Sequence, residues 1–176
     1  MVSPVDPVML AMERNWEMID GALEGLDEAA MAHQLTDQCN SVAWILWHLT
    51  RVTDIFIHTR LRDLTQVWVS EGRNEKFGMP ADPEDRGVGW SAAQVAAWNP
   101  PARDVQTAYY EADKTHAREF LANITTEELE REIVMGPVPE PRTVATCMCQ
   151  MVWDTIAHGG QIAYLRGFFC GMGWFR

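Results

Sequence analysis

Apolar residues recur at helical spacing in four long stretches of the chain, and those stretches predict four long helices. The first runs from about Pro7 to about Leu23, where Met9, Met12, Trp16, Ile19 and Leu23 form one stripe and Glu13, Arg14 and Glu17 are left for solvent. Asp27 to Met31 adds a short helical turn. Asn40 or Ser41 caps the second long helix, Val42 to about Arg62, whose apolar face is Val42, Ile45, Leu46, Leu49, Val52 and Phe56. His48 falls on the flank of that face, beside Trp44 and Ile55, while Trp47, Arg51, Asp54 and His58 take the opposite side.

The periodicity lapses from Leu64 to Pro100, where Gly, Pro, Asp and Asn dominate around one short helix near Ser91 to Ala97. Connections this long are uncommon inside a compact domain, and Trp68, Phe77 and Trp90 predict that this one packs over the helices. The third long helix follows Pro100-Pro101 and reaches about Leu121 through Val105, Ala108, Tyr109, Ala112 and Phe120. Thr125-Thr126-Glu127-Glu128 reads as a capping box opening a short turn. Pro137, Pro139 and Pro141 predict a stiff extended linker, and the last helix runs from Thr143 to about Phe169, before Gly171-Met172-Gly173. With no strand or hairpin signal, the expected fold is an all-α four-helix bundle with a long connection between helices two and three.

Composition narrows the partners. A chain of 176 residues is expected to form one domain, residues 1–176, with a sizeable core. A hydrophobic fraction of 47% and eight Trp residues (Trp 8) belong to a folded globular protein. The formal charge of -11 argues against a nucleic-acid backbone or an anionic membrane surface as partner. The N-terminus lacks the charged-then-apolar pattern of a signal peptide, and no apolar run reaches the roughly 18 residues needed to span a bilayer, so a cytoplasmic protein is expected. Cys39, Cys147, Cys149 and Cys170 do not make a disulfide framework in a chain of this length and read as reduced. Cys147 alone lies near candidate chemistry, seven residues before Asp154 on the same side of its helix.

That chemistry centres on Asp154 and His158, one helical turn apart and aimed at or beside the core. Burying both costs several kcal/mol, about enough to require a partner. A simple buried pair is one answer. A metal ion is another, with His48 as third ligand if helices two and four are neighbours, giving a two-His, one-carboxylate set with open positions. His116 is a rival third ligand from helix three; His33 and His58 read as surface or structural residues. Gln161, one turn after His158, either fixes its imidazole or faces solvent. Gly159-Gly160 in mid-helix points to close helix approach, or to room kept for a ligand or another subunit. Arg166 near the helix C-terminus is favoured there by the helix dipole, and an anion-binding role is also open.

The segment Asn40-Ser41-Val42-Ala43-Trp44-Ile45-Leu46-Trp47-His48-Leu49-Thr50-Arg51-Val52, followed by His158-Gly159-Gly160-Gln161-Ile162-Ala163-Tyr164-Leu165-Arg166-Gly167, resembles the DinB-like (YfiT-like) superfamily. The resemblance implies a four-helix bundle, often a homodimer, with three side chains holding a divalent metal, commonly zinc or nickel. It makes His48 and His158 the histidine ligands. The position four before His158, often His in that superfamily, is Asp154 here, and a carboxylate shifts preference toward harder ions. The function implied is S-transfer or isomerisation of small electrophiles with a low-molecular-weight thiol such as mycothiol or bacillithiol. The small-molecule substrate would then lie against Trp44 and the long loop, with Gln161 and Arg166 in supporting positions. A non-enzymatic, dimeric metal-stabilised or metal-sensing bundle is the competing expectation.

Overall fold

The computed structural model describes residues 4–135 and 138–175. Four long helices carry the architecture: α1 (Asp6–Leu23), α3 (Val42–Asp54), α7 (Arg103–Asn123) and α9 (Val144–Cys170). Short helices occupy the connections: α2 (Glu28–Ala32), α4 (Val67–Ser70), α5 (Arg73–Lys76), α6 (Ala92–Ala97) and α8 (Thr126–Glu130). α9 packs against both α1 and α3, and α7 against both α3 and α1, so the order around the bundle is α1, α9, α3, α7. No helix of the described residues is long and apolar enough to cross a membrane.

The caps fall where the side chains predict them. Ser41 Oγ accepts from the Trp44 N–H to open α3, and Thr143 Oγ1 accepts from the Thr146 N–H to open α9. Thr125 caps α8 through the Glu128 N–H, and Ser91 with Gln94 forms a complete capping box on α6. α3 runs straight on into a wider, π-helical stretch, Ile55–Arg60, a local loosening that the apolar period does not register.

One expectation is corrected. Glu132–Met135 (β1) and Val138–Thr143 (β2) pair antiparallel, with Glu132 opposite Thr143 and Ile133 opposite Arg142. Pro139 and Pro141 read in sequence as linker, because proline cannot donate to a ladder. A two-stranded ribbon leaves each strand an unpaired edge where proline is tolerated. Pro137 lies outside the described residues.

The other finding concerns α3, buried on every side rather than along one stripe. One face meets the bundle; the other lies under the long connection, and buried polar groups fasten the two. Arg51, 0% exposed, donates from Nε to the Asp85 carbonyl at 3.0 Å and from Nη2 to the carbonyls of Asp82 and Pro83 at 3.3 and 3.2 Å. Its Nη1 donates to Gln66 Oε1 at 2.8 Å, and the guanidinium lies 4.7 Å over the Trp68 ring. Asp54, also 0% exposed, accepts from the backbone N–H groups of Val67 and Trp68, from Tyr109 Oη at 2.6 Å and from His58 Nδ1. Burial opposes its charge, yet these donors together hold its carboxyl below the usual range.

Between the helices lies a polar layer: Asn15 Nδ2 donates to the Thr155 carbonyl at 3.2 Å, and Thr53 and Thr155 hydroxyls stand 3.4 Å apart. Asp113 joins it from α7, fully buried, with Oδ1 lacking a hydrogen-bond partner among the described residues. Burial, reinforced by the charge of Asp54, pushes its carboxyl well above the ordinary range. The unfolded chain releases this proton above about pH 3.9 while the folded chain keeps it, so Asp113 erodes stability as pH rises from that point. Asp113→Asn removes this slope. Urea unfolding of the two chains is expected to show similar stability near pH 4 and a growing advantage of the variant toward pH 8.

Candidate metal centre

His48 comes from α3, and Asp154 and His158 from the neighbouring α9, so the packing of those two helices assembles the group. Its ligand atoms all lie within 4.8 Å of one another, and it is the group of three potential ligands found among the described residues. Asp154 Oδ2 is 3.9 Å from His48 Nε2, and Asp154 Oδ1 is 3.8 Å from His158 Nε2. The imidazole centroids are 4.6 Å apart with the rings nearly perpendicular.

Each imidazole is fixed through its other nitrogen. His48 Nδ1 meets the carbonyl of Arg86, which can only accept, so Nδ1 carries the proton and Nε2 presents a lone pair to Asp154. His158 Nδ1 donates to Gln161 Oε1 at 2.8 Å, leaving its Nε2 lone pair toward the same carboxylate. Burial lowers the pKa of His48 against the opposing pull of the Arg86 carbonyl, a shift that favours the neutral, ligating form of the ring. Trp44 stacks on His48 at 4.9 Å and 8°, shielding one ring face from water.

Two lone pairs therefore face one carboxylate across gaps too long for hydrogen bonds. Asp154 Oδ2 is buried without a hydrogen-bond partner among the described residues. An unpartnered buried carboxylate oxygen is costly, and a divalent ion held between it and the two imidazoles would relieve it. The donor set fits a divalent cation.

The loop that carries the Arg86 carbonyl is held by the Arg51 contacts and by a tight fit at Gly87. There φ is +81°, and a Cβ would overlap the Trp44 ring and crowd Trp47. Sequence reading missed Arg51, Arg86 and Gly87 as parts of the site. The glycine marks a turn, but nothing in the sequence tells which carbonyl reaches across 38 residues to a histidine.

Other candidates are placed apart. His116 packs its ring 5.0 Å from that of His58, with Nε2 3.7 Å from Glu71 Oε1, away from the Asp154 group. Arg166 stands 5.7 Å from the Trp174 ring and beside Gly25, two turns beyond His158. Cys147 is buried and outside the group. Gln161 is brought to the site and Trp44 lies against it. On the solvent side of α9, Trp153 (70% exposed), Tyr164 (76%) and Phe168 (64%) form an apolar row.

Comparison with known proteins agrees with this architecture. A solved structure described as that of a conserved protein from Enterococcus faecalis superposes with a TM-score of 0.86, covering 98% of this chain and 100% of that one at 22% identity. That likeness speaks to the fold. No curated protein matches the chain. The family profile of the DinB superfamily matches residues 11–162, most of the length. The chain belongs to the DinB superfamily.

Proposed function

We propose that the chain binds a divalent metal through His48, Asp154 and His158 and uses a low-molecular-weight thiol to act on small electrophiles, as an S-transferase or isomerase. The observation that carries this reading is the locked orientation of both imidazoles, their free Nε2 atoms converging on an orphaned carboxylate oxygen. A set of two imidazoles and one carboxylate suits zinc or nickel and leaves positions open for a further ligand. An ion held there would supply Lewis acidity, stabilising a thiol as thiolate below its free pKa of about 8.5.

The chain's own residues do the rest. Asp154, placed between the two histidines, would offset the ion's charge. The Arg86 carbonyl and the Gln161 amide hold the ring tautomers, and Trp44 closes one side of His48 to water. If Gln161 has this role, Gln161→Ala lowers zinc affinity about 10–100-fold; a solvent-facing glutamine would leave it unchanged. Turnover is tested by following conversion of small electrophiles, with and without mycothiol or bacillithiol, by the zinc-, nickel- and manganese-loaded protein. Conversion that needs both the thiol and His158 supports the reading, with thiol lost in S-transfer and recovered in isomerisation; no conversion with any metal contradicts it.

The competing reading, a non-enzymatic dimeric metal-binding bundle, draws on the exposed row Trp153, Tyr164 and Phe168. Rows of this kind are surfaces that a second copy can cover. Under that reading metal binds and no electrophile is converted.

A further inference from the structure

The adjacent glycines of α9 have different reasons to be glycine. At Gly159 a Cβ would overlap the side-chain amide of Asn15, so close packing of α1 on α9 demands it. At Gly160 a Cβ would meet nothing within 4 Å. Glycine is the poorest ordinary residue for a helix interior, and here no neighbour in the bundle requires it.

What Gly160 keeps open is a groove of about 450 Å³ between α9 and the segment leading into α3. Leu35, Ile45, Ala157 and Leu165 make its apolar walls, Tyr164 of the exposed row stands at its edge, and Asn40 and Gln161 contribute amides. No carboxylate, ammonium or guanidinium group lines it. The volume falls within the range of small-molecule sites, roughly 300–1,000 Å³. The groove and the candidate metal centre share Gln161, which lines the groove and holds His158 Nδ1, and Ile45 in its wall precedes His48 by one turn of α3.

We infer that this groove is the bed for the non-reacting body of the substrate, a neutral and largely apolar organic molecule, and that Gly160 sets the size it accepts. Asn40 and Gln161 offer a polar group of that molecule both donors and acceptors, while its reacting end extends toward His48, Asp154 and His158. An anionic body finds no cation in the lining, on a chain whose formal net charge is already -11. The catalytic meaning of the groove rests on the metal reading above; its capacity to bind does not.

The test pairs two fluorescent probes that share their rings and differ by one sulfonate: neutral N-phenyl-1-naphthylamine and 1-anilinonaphthalene-8-sulfonate. Each is titrated into wild type, Gly160→Ala and Gly160→Leu. Wild type is expected to bind the neutral probe saturably at one site, at least tenfold more tightly than the sulfonate. Gly160→Leu should weaken the neutral probe at least tenfold and leave zinc affinity, measured by chelator competition, within twofold. Gly160→Ala should raise the melting temperature, because alanine favours the helix and displaces no neighbour. Unchanged probe affinity in Gly160→Leu, or no saturable binding in wild type, overturns the inference. So does sedimentation showing a wild-type dimer that Gly160→Leu dissociates, which would assign the groove to a second copy. If the probe results hold while zinc fails to bind, the groove stands and the metal reading falls.

Discussion

Asp54→Ala is expected to cost about 3–5 kcal/mol of folding stability, the range for breaking a buried ionic pair from one side. Asp54 is wholly buried and accepts from Tyr109, His58 and two backbone N–H groups that open α4, with Arg51 Nη1 3.6 Å away. Removing the carboxylate leaves the Arg51 guanidinium buried without its counter-ion and leaves those N–H groups unpaired. Denaturant unfolding measures the cost. Because the folded-state pKa of Asp54 is depressed, its contribution is present above the unfolded value of about 3.9 and is lost as pH falls through the folded one. The deficit of the alanine variant should therefore shrink in acid. A cost under about 1 kcal/mol would mean that the loop is held over α3 by its aromatic packing rather than by this network.

Zinc should stabilise the native protein by about 3–4 kcal/mol when free metal is 100- to 1,000-fold above its dissociation constant. The gain follows from binding to the assembled group, since the unfolded chain does not bring residues 48, 154 and 158 together. His158→Ala removes one of three ligands and should abolish most of the gain, leaving the metal-free stability near that of wild type because His158 is partly exposed. Thermal unfolding with and without zinc reads both effects. A shift that survives in His158→Ala would place the ion elsewhere, the exposed Cys149 and Cys170 being alternatives to check by replacement with serine.

Periodicity made the four long helices legible, because each stripe had to be buried, and Ser41 and Thr143 stand where α3 and α9 begin. It did not reveal that α3 is buried all round. Arg51, Asp54 and His58 look like a polar face, and the folded loop from residue 64 to 100, with Tyr109 and His116 of α7, turns that face inward. The β1–β2 ribbon was hidden for a related reason: Pro139 and Pro141 signal a break, and the pairing that tolerates them is set by tertiary register. At the site, the i,i+4 spacing of Asp154 and His158 was readable as one helix face, and pairing with His48 followed from α3 lying beside α9. The Arg86 carbonyl was unreadable because any residue carries one; Gly87 alone marked the place, through the positive φ that brings the backbone against Trp44.

The separation of Gly159 from Gly160 shows the same limit. In sequence they form one feature, open to helix packing, to a ligand or to another subunit. In the fold one is filled by Asn15 and the other faces open space.

Elemental analysis by inductively coupled plasma mass spectrometry tests the central claim most directly, applied to purified wild type and to His48→Ala, Asp154→Ala and His158→Ala. The account predicts near-stoichiometric divalent metal in wild type, as purified or after incubation with zinc, nickel or manganese, and its loss in all three variants. Equal metal in wild type and variants, or none in wild type after those incubations, would contradict it and leave Asp154 and His158 as a half-buried polar pair.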